Sequence, residues 1–273
     1  MIVWSQLQRE APVDLVPRLL TVGNETSTRQ LATLQQFARA EGALLPGIVW
    51  LGGLKSDMRG TKASYLAARA AAAGRSFLRF DYSGHGQSEG CFETATIGVW
   101  LEDSLAAIRD LTVGPQILVG SSMGGWLALL AARALRASGE SERLKGLVLV
   151  APAVDFTEAL IWEKLSSEAR TEMVEKGAWL RPSAYSESPY PITRRLIEEG
   201  RQHLLLGGEI RTDCPVHVLQ GMLDEDVPWR RATLLVEHLA GDPVTLTLVK
   251  DGNHRLSRDA DLARLWAAIE NMA

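Results

Sequence analysis

The apolar run Ile117-Leu118-Val119 leads directly into Gly120-Ser121-Ser122-Met123-Gly124, and a leucine- and alanine-rich stretch starts at Met123. Few backbone paths satisfy a strand, a tight turn with glycine at each end and a helix in immediate succession. Such a path drives the central side chain into a strained, exposed position, the geometry of a nucleophile elbow. Glycine at both ends lets the turn close, because a Cβ at either place would crowd the neighbouring strand or helix. Ser122 is therefore expected at a helix N-terminus, where free backbone N–H groups favour developing negative charge.

The pentapeptide alone is only suggestive, and two later segments add to it. Val216 to Leu219 reads as a strand, followed by the loop Gln220-Gly221-Met222-Leu223-Asp224-Glu225-Asp226-Val227-Pro228. Val244 to Val249 alternates apolar residues with threonines, a strand pattern. It runs into the turn-rich Lys250-Asp251-Gly252-Asn253-His254. The order Ser122, Asp224, His254 then places each residue just beyond a strand, where an open parallel sheet gathers its chemistry. A serine hydroxyl needs a base to take its proton, and an imidazole titrating near neutrality can do so. A carboxylate would fix the imidazole's tautomer and stabilise the imidazolium.

Alternatives remain at each place. Glu225 and Asp226 compete with Asp224 as the acid. His85, in the strand-end segment Tyr82-Ser83-Gly84-His85-Gly86, competes with His254 as the base, although it precedes Ser122 in the chain. His217 falls inside a strand, and His203 and His238 fall on helical stretches. A tetrahedral oxyanion also needs two preorganised donors. The N–H of Met123 is one. The N–H of Leu54, in Gly52-Gly53-Leu54-Lys55 after the strand Ile48 to Leu51, is the other, with a shift of one residue left open.

The rest of the chain alternates strands and helices. Thr61 to Ala73 reads as a helix and Phe77 to Asp81 as a strand. Leu101, Leu105 and Ile108 mark one face of a helix, Gly146 to Val150 reads as a strand, and Leu262, Leu265, Trp266 and Ile269 mark a C-terminal helix. Repeated strand–helix units imply a mostly parallel, doubly wound α/β sheet covered on both faces. Arg29 to Ala38 favours a helix by propensity. Residues 152–207 exceed what the sheet requires. They are expected to form a helical cap inserted into a core of residues 1–151 and 208–273, with helices at Phe156 to Val174 and Ile192 to Leu206. Trp162, Trp179, Tyr185 and Tyr190 could line an acyl pocket beneath the cap, or simply pack it onto the core. Arg194, Arg195 and Arg201 could attract a substrate carboxylate, or form a solvated helix face. Gly84-His85-Gly86-Gln87-Ser88-Glu89-Gly90 has its third glycine one residue late for a dinucleotide loop, so a tight turn held by Asp81 is expected and no nucleotide.

Composition narrows the classes further. A net charge of −4 over 273 residues, with no basic stripe, disfavours nucleic acid as a partner. No apolar run reaches the ~20 residues of a membrane span. Met1 to Leu20 carries Glu10, Asp14, Pro12 and Pro17 and lacks a basic start with an apolar core, so a cytoplasmic protein is expected. Cys91 and Cys214 are isolated thiols without metal-ligand spacing, so neither a disulfide nor a metal is expected, and the chemistry is read as cofactor-free.

With elbow, acid loop and histidine loop in place, the sequence resembles the α/β-hydrolase superfamily. Arg79-Phe80-Asp81-Tyr82-Ser83-Gly84, Gly114 to Ser122, Gly124-Gly125-Trp126-Leu127 and Asp226-Val227-Pro228-Trp229 are similar to a branch of palmitoyl-protein thioesterases and acyl-glucuronide esterases. The likeness runs from about Pro46 to the C-terminus and is thinner from Asp155 to Gly208. The resemblance implies an α/β-hydrolase fold with an inserted cap, and a strand near Arg29 to Ala38 where propensity favours a helix. It puts Ser122, Asp224 and His254 at the nucleophile, acid and base positions. Gly52-Gly53 stands where many members have His-Gly, which bears on the second oxyanion donor. The activity implied is a serine hydrolase cleaving carboxylic esters or thioesters through an acyl-enzyme. A lactone or acyl-glucuronide hydrolase of the same mechanism and a non-catalytic ligand-binding module are the alternatives. The animal relatives of this branch are mitochondrial.

Overall fold

The computed structural model describes residues 16–24, 27–181, 189–239 and 241–272. β1 (Arg18–Asn24) and β2 (Ser27–Gln36) come first, followed by β3 (Gly47–Leu51), α1 (Thr61–Ala72) and β4 (Phe77–Phe80). Next are α2 (Ile97–Leu111), β5 (Gln116–Ser121), α3 (Met123–Ala137) and β6 (Leu144–Val150). Then come α4 (Ser167–Lys176), β7 (Ala178–Arg181), β8 (Tyr190–Thr193) and α5 (Arg194–Gly200). β9 (Val216–Gly221), α6 (Arg230–His238), β10 (Val244–Val249) and α7 (Asp259–Glu270) complete the chain.

Eight strands form one sheet in the order β1-β2-β4-β3-β5-β6-β9-β10. β1 and β2 pair antiparallel, as do β2 and β4, and every other pairing is parallel. The pleat sorts each central strand between two cores. Val49, Leu51 and Leu118 face Trp100, Trp126 and Leu130 of α2 and α3. Ile48, Trp50, Ile117 and Val119 face Leu66 of α1 and Leu262 and Trp266 of α7. Burial on both faces explains why β5 and β6 read as continuous apolar runs rather than alternating ones. Because the parallel strands share one direction, the loops after β3, β5, β6, β9 and β10 collect at one edge of the sheet.

The helical propensity of Arg29 to Ala38 does not prevail, since most of it lies in β2. Thr33 to Gln36 pair with Phe77 to Phe80, which would otherwise leave β4 an open edge, and Leu31, Ala32 and Leu34 are buried. Amides of Gln35 and Gln36 bond the carbonyls of Leu111 and Arg75, locking the strand's end. Tertiary pairing outweighs the few tenths of a kcal/mol per residue that propensity supplies.

The two helices expected between β6 and β9 are both shorter and interrupted. Phe156 to Val174 is broken into a wide turn at Thr157–Ile161, a tight turn at Trp162–Lys164 and a fresh start at α4, whose N-cap Ser166 accepts the Ala169 N–H at 3.2 Å. Ile192 to Leu206 begins as strand β8. That strand pairs with β7 in a small hairpin before Thr193 caps α5 through the Leu196 N–H at 3.1 Å. Capping hydroxyls thus divide stretches whose apolar content is continuous. Asp155 (φ +58°) anchors the far end of this segment by accepting the N–H groups of Leu205 and Leu206 at 2.9 and 2.8 Å.

Candidate active site

Ser122 joins β5 to α3 at φ +55°, ψ −118°, a conformation costing on the order of 1–3 kcal/mol outside glycine. Its N–H donates to Val150 O (2.9 Å), and its carbonyl accepts the N–H groups of Gly125 (2.9 Å) and Ala153 (3.0 Å), so the surroundings hold it there. A Cβ on Gly120 would strike the backbone of Gly124, and one on Gly124 would strike the carbonyl oxygens of Leu51 and Gly52. The two glycines therefore set how closely α3 approaches β3 and β5.

The loops after β9 and β10 bring Asp224 and His254 to this serine. His254 Nε2 lies 3.1 Å from Ser122 Oγ, and Nδ1 lies 2.8 Å from Asp224 Oδ2. A carboxylate can only accept, so Nδ1 carries the proton and the Nε2 lone pair meets the serine hydroxyl. The Asp224 side chain is fully buried. Its charge is balanced by the N–H groups of Asp226 (3.0 Å) and Val227 (2.8 Å) on Oδ1 and by Gln220 Nε2 (3.0 Å) on Oδ2. Asp224 is the acid that bonds His254 Nδ1, while Asp226, whose carboxylate also comes within 4.8 Å of a ring nitrogen of His254, pairs with Arg181 at 3.4 Å. The two loops are knitted together, Leu223 N–H donating to Gly252 O at 2.8 Å.

The N–H of Met123, first residue of α3, and the N–H of Leu54, in the turn Gly53–Ser56, have no acceptor among the described residues. A Cβ on Gly53 would stand 3.4 Å from the Ser122 Cβ, so this turn lies against the serine. His85 is occupied elsewhere. Its ring is buried in edge contacts with Tyr82, Phe92 and Trp100, its Nε2 accepts the Lys55 N–H at 3.1 Å, and its Nδ1 is 3.3 Å from Ser83 O. Burial pushes its pKa down to about 4, Lys55 adding to the shift, so the ring is neutral at pH 7. Asp81 organises the adjoining loop, accepting the N–H groups of Met58 (2.6 Å) and Gln87 (2.8 Å).

A cavity of about 660 Å³ opens on Ser122 and His254. Tyr190 lines it, whereas Trp162 and Trp179 are not among its lining residues and Tyr185 lies outside the described residues. Trp162 is held between the guanidinium groups of Arg170 and Arg201, each 5.2 Å from its ring centre, and Trp179 sits in β7 opposite Ile192. Aromatic type is a poor guide here because both tryptophans serve packing. The apolar wall comes instead from Leu54, Ala153, Phe156, Leu160 and Val227, mostly residues just beyond strand ends, a position that the sequence itself marks. Arg194 and Arg201 pair with Glu198 (2.6 Å) and Glu158 (2.7 Å), and neither they nor Arg195 line the cavity. Cys91 and Cys214 are free thiols. No helix among the described residues is long and apolar enough to cross a membrane.

A doubly wound sheet with a serine elbow and convergent acid and histidine loops defines the class of α/β-fold serine hydrolases. The chain belongs to the α/β-hydrolase family, residues 48–195 matching the family described as serine aminopeptidase, S33. It is 40% identical to the mitochondrial palmitoyl-protein thioesterase ABHD10 of Bos taurus over 228 residues, 83% of this chain and 72% of the bovine protein. Among solved structures it is similar to a hydrolase from Agrobacterium vitis S4 (TM-score 0.90, 45% identity, covering 95% of this chain and 99% of that one). It is also similar to mouse α/β-hydrolase domain-containing protein 10 (TM-score 0.81, 35% identity, covering 93% and 98%). The chain is an enzyme of the hydrolase class, and its fold is that of the α/β hydrolases.

Proposed function

We propose that this enzyme cleaves carboxylic esters and thioesters through an acyl-enzyme on Ser122, with His254 as base and Asp224 as the acid that orients it. The observation that carries the reading is the continuous hydrogen-bonded chain from Ser122 Oγ through His254 to the buried Asp224. In this mechanism the serine oxygen bonds the acyl carbon while its proton passes to His254 Nε2. The tetrahedral oxyanion takes the two unengaged N–H groups of Met123 and Leu54. The imidazolium then protonates the departing alcohol or thiol, and a water activated by the same ring releases the acid. The segment 152–207 acts as a cap that supplies Phe156, Leu160 and Tyr190 to the acyl pocket. Likeness to palmitoyl-protein thioesterases and the apolar wall together favour a long acyl chain.

A second feature concerns the leaving group. Among the described residues Lys55, Lys62, Arg181 and Arg255 line the cavity against one acid, Asp226, which favours an anionic leaving group such as a glucuronide. Lys62 Nζ donates to Arg255 O at 2.5 Å, and burial together with the nearby Arg255 charge lowers its pKa to about 8. Lys62 is therefore charged below that pH and neutral above it. Any preference for an anionic over a neutral leaving group should weaken as pH rises through about 8, read as the ratio of kcat/KM for paired acyl-glucuronide and p-nitrophenyl substrates.

The test of the main reading is hydrolysis of a chain-length series of p-nitrophenyl esters and acyl-thioesters by wild type and Ser122→Ala. We expect turnover by wild type alone, rising with chain length, and a loss in the variant of at least about 10³-fold. Turnover retained by Ser122→Ala refutes the acyl-enzyme, and a maximum at acetyl refutes the long-chain preference.

A further inference from the structure

The turn that carries Leu54 is held in a conformation its residues do not favour. Ser56 N–H donates to Gly53 O at 3.1 Å, closing a β-turn with Leu54 and Lys55 at its centre, and Lys55 sits at φ +60°. Turns with a positive φ at the third position ordinarily place glycine or asparagine there. The relaxed form open to lysine keeps the same end-to-end bond, rotates the central peptide by roughly half a turn and returns Lys55 to negative φ.

One contact opposes that rotation. The N–H of the central peptide belongs to Lys55 and meets His85 Nε2 at 3.1 Å. His85 Nδ1 faces the Ser83 carbonyl, an acceptor, so the ring proton sits on Nδ1 and Nε2 is bare. Rotating the peptide would bring the Leu54 carbonyl oxygen toward that bare nitrogen, lone pair against lone pair. The imidazole has little room to turn away, because the rings of Tyr82, Phe92 and Trp100 stand 5.7, 5.4 and 5.2 Å from its centre, all edge to face. The Lys55 ammonium reinforces the arrangement by lying 4.2 Å from the centre of the Phe92 ring.

We infer that His85 is a positioning residue for the oxyanion turn: its bond to the Lys55 N–H fixes the Leu54–Lys55 peptide and, through the shared Leu54 Cα, the place of the preceding Gly53–Leu54 peptide that carries the Leu54 N–H. It takes no part in proton transfer. This rests on the reading of the Leu54 N–H as an oxyanion donor to an ester attacked by Ser122.

The experiment compares kcat and KM for p-nitrophenyl butyrate in wild type, Ser122→Ala, His85→Phe, His85→Gln and the double variant His85→Phe/Lys55→Gly. Phenylalanine fills the aromatic box without an acceptor, whereas glutamine restores one. Glycine at position 55 accepts positive φ without help. We expect kcat of His85→Phe to fall about 10- to 100-fold with KM unchanged, the range for weakening one oxyanion donor. Glutamine should recover most of that loss, and the added Lys55→Gly change should recover part of it. Wild-type kcat in His85→Phe, with Ser122→Ala dead, overturns the inference and leaves the Ser122 reading standing. Activity in Ser122→Ala instead removes the reading beneath it. Equal loss in the phenylalanine and glutamine variants, unrelieved by Lys55→Gly, reduces His85 to packing and also overturns it. A ¹⁵N spectrum of the wild-type imidazoles needs no variant to fold: a bare His85 Nε2 at pH 7 supports the inference, and a protonated Nε2 refutes it.

Discussion

Asp224 is buried as an anion because it is fully engaged. Two backbone N–H groups, the Gln220 amide and the His254 ring bond its two oxygens. Gln220 is the one side chain in that set besides His254, and its Nε2 also reaches the Gly221 and Val227 carbonyls, so it ties the acid loop to β9. Gln220→Leu removes a hydrogen bond to a charged group and frees Asp224 Oδ2 to shift. The expected effect is a fall in kcat of about 10- to 100-fold with little change in KM, following the 1.5–3 kcal/mol of such a bond. Steady-state kinetics on a short-chain ester checks it. His85 yields a pH prediction. Its pKa falls from an ordinary 6.5 to about 4 on folding, chiefly through burial. The unfolded chain therefore takes up the proton first as pH drops. The stabilisation is whole above pH 6.5 and is lost as pH falls toward 4, by about 3 kcal/mol if this ring acts alone. Denaturant unfolding of wild type and His85→Phe across that window should show the wild type losing ground, and parallel pH curves would contradict the assignment.

Among elements, the junction of β3, β5 and α3 decides the geometry of the elbow, and glycine is required there for space rather than for a left-handed φ. Gly124→Ala would push a methyl group into the Leu51 and Gly52 carbonyls, both backbone, with no flexible side chain to yield. We expect it to cost about 3 kcal/mol and to lower activity, since Gly52 leads into the turn that carries Leu54 beside Ser122. Gly114→Ala is the control, with nothing within contact distance but a φ of +70°. It should cost about 1 kcal/mol and leave kcat alone. Urea midpoints of the two variants test the contrast. Elements were unequally legible for the same reason. β5, α3, β9 and β10 announce themselves through local pattern and turn residues. β2 does not, because its strand state depends on an edge of β4 that lies far away in sequence. The stretch between β6 and β9 is divided by the hydroxyls of Ser166 and Thr193, whose capping role is decided by where the backbone turns.

At the scale of the molecule, the β2–β4 ladder that joins the antiparallel β1–β2 pair to the parallel sheet is reinforced by an ion pair to a buried carboxylate. Asp103 of α2, fully buried, accepts Arg29 Nε of β2 at 2.8 Å and the Ser83 N–H after β4 at 2.8 Å. Three distant segments thus meet at one carboxylate, within a few residues of His85. Asp103→Ala removes the buried one of Arg29's two carboxylate partners, Glu102 remaining at 2.8 Å, and leaves the buried Ser83 N–H unpaired, so it should lower stability by about 1–3 kcal/mol. Thermal or urea unfolding measures the loss, and a change below about 1 kcal/mol would show that the pair is dispensable.

What the sequence determined by itself is whatever a few consecutive residues can specify: the strand–turn–helix around Ser122, the turn-rich loops that carry Asp224 and His254, and the alternation that builds a doubly wound sheet. Glycine tolerance, capping and apolar period act over one turn of chain, so they are readable from it. The tertiary structure alone decided that Asp224 bonds His254 Nδ1, that His85 serves the Lys55 backbone instead of Ser122, and that Trp162 packs against two arginines while Phe156 and Leu160 face the cavity. Those outcomes depend on distances between segments brought together by burial, to which residue order along the chain is blind.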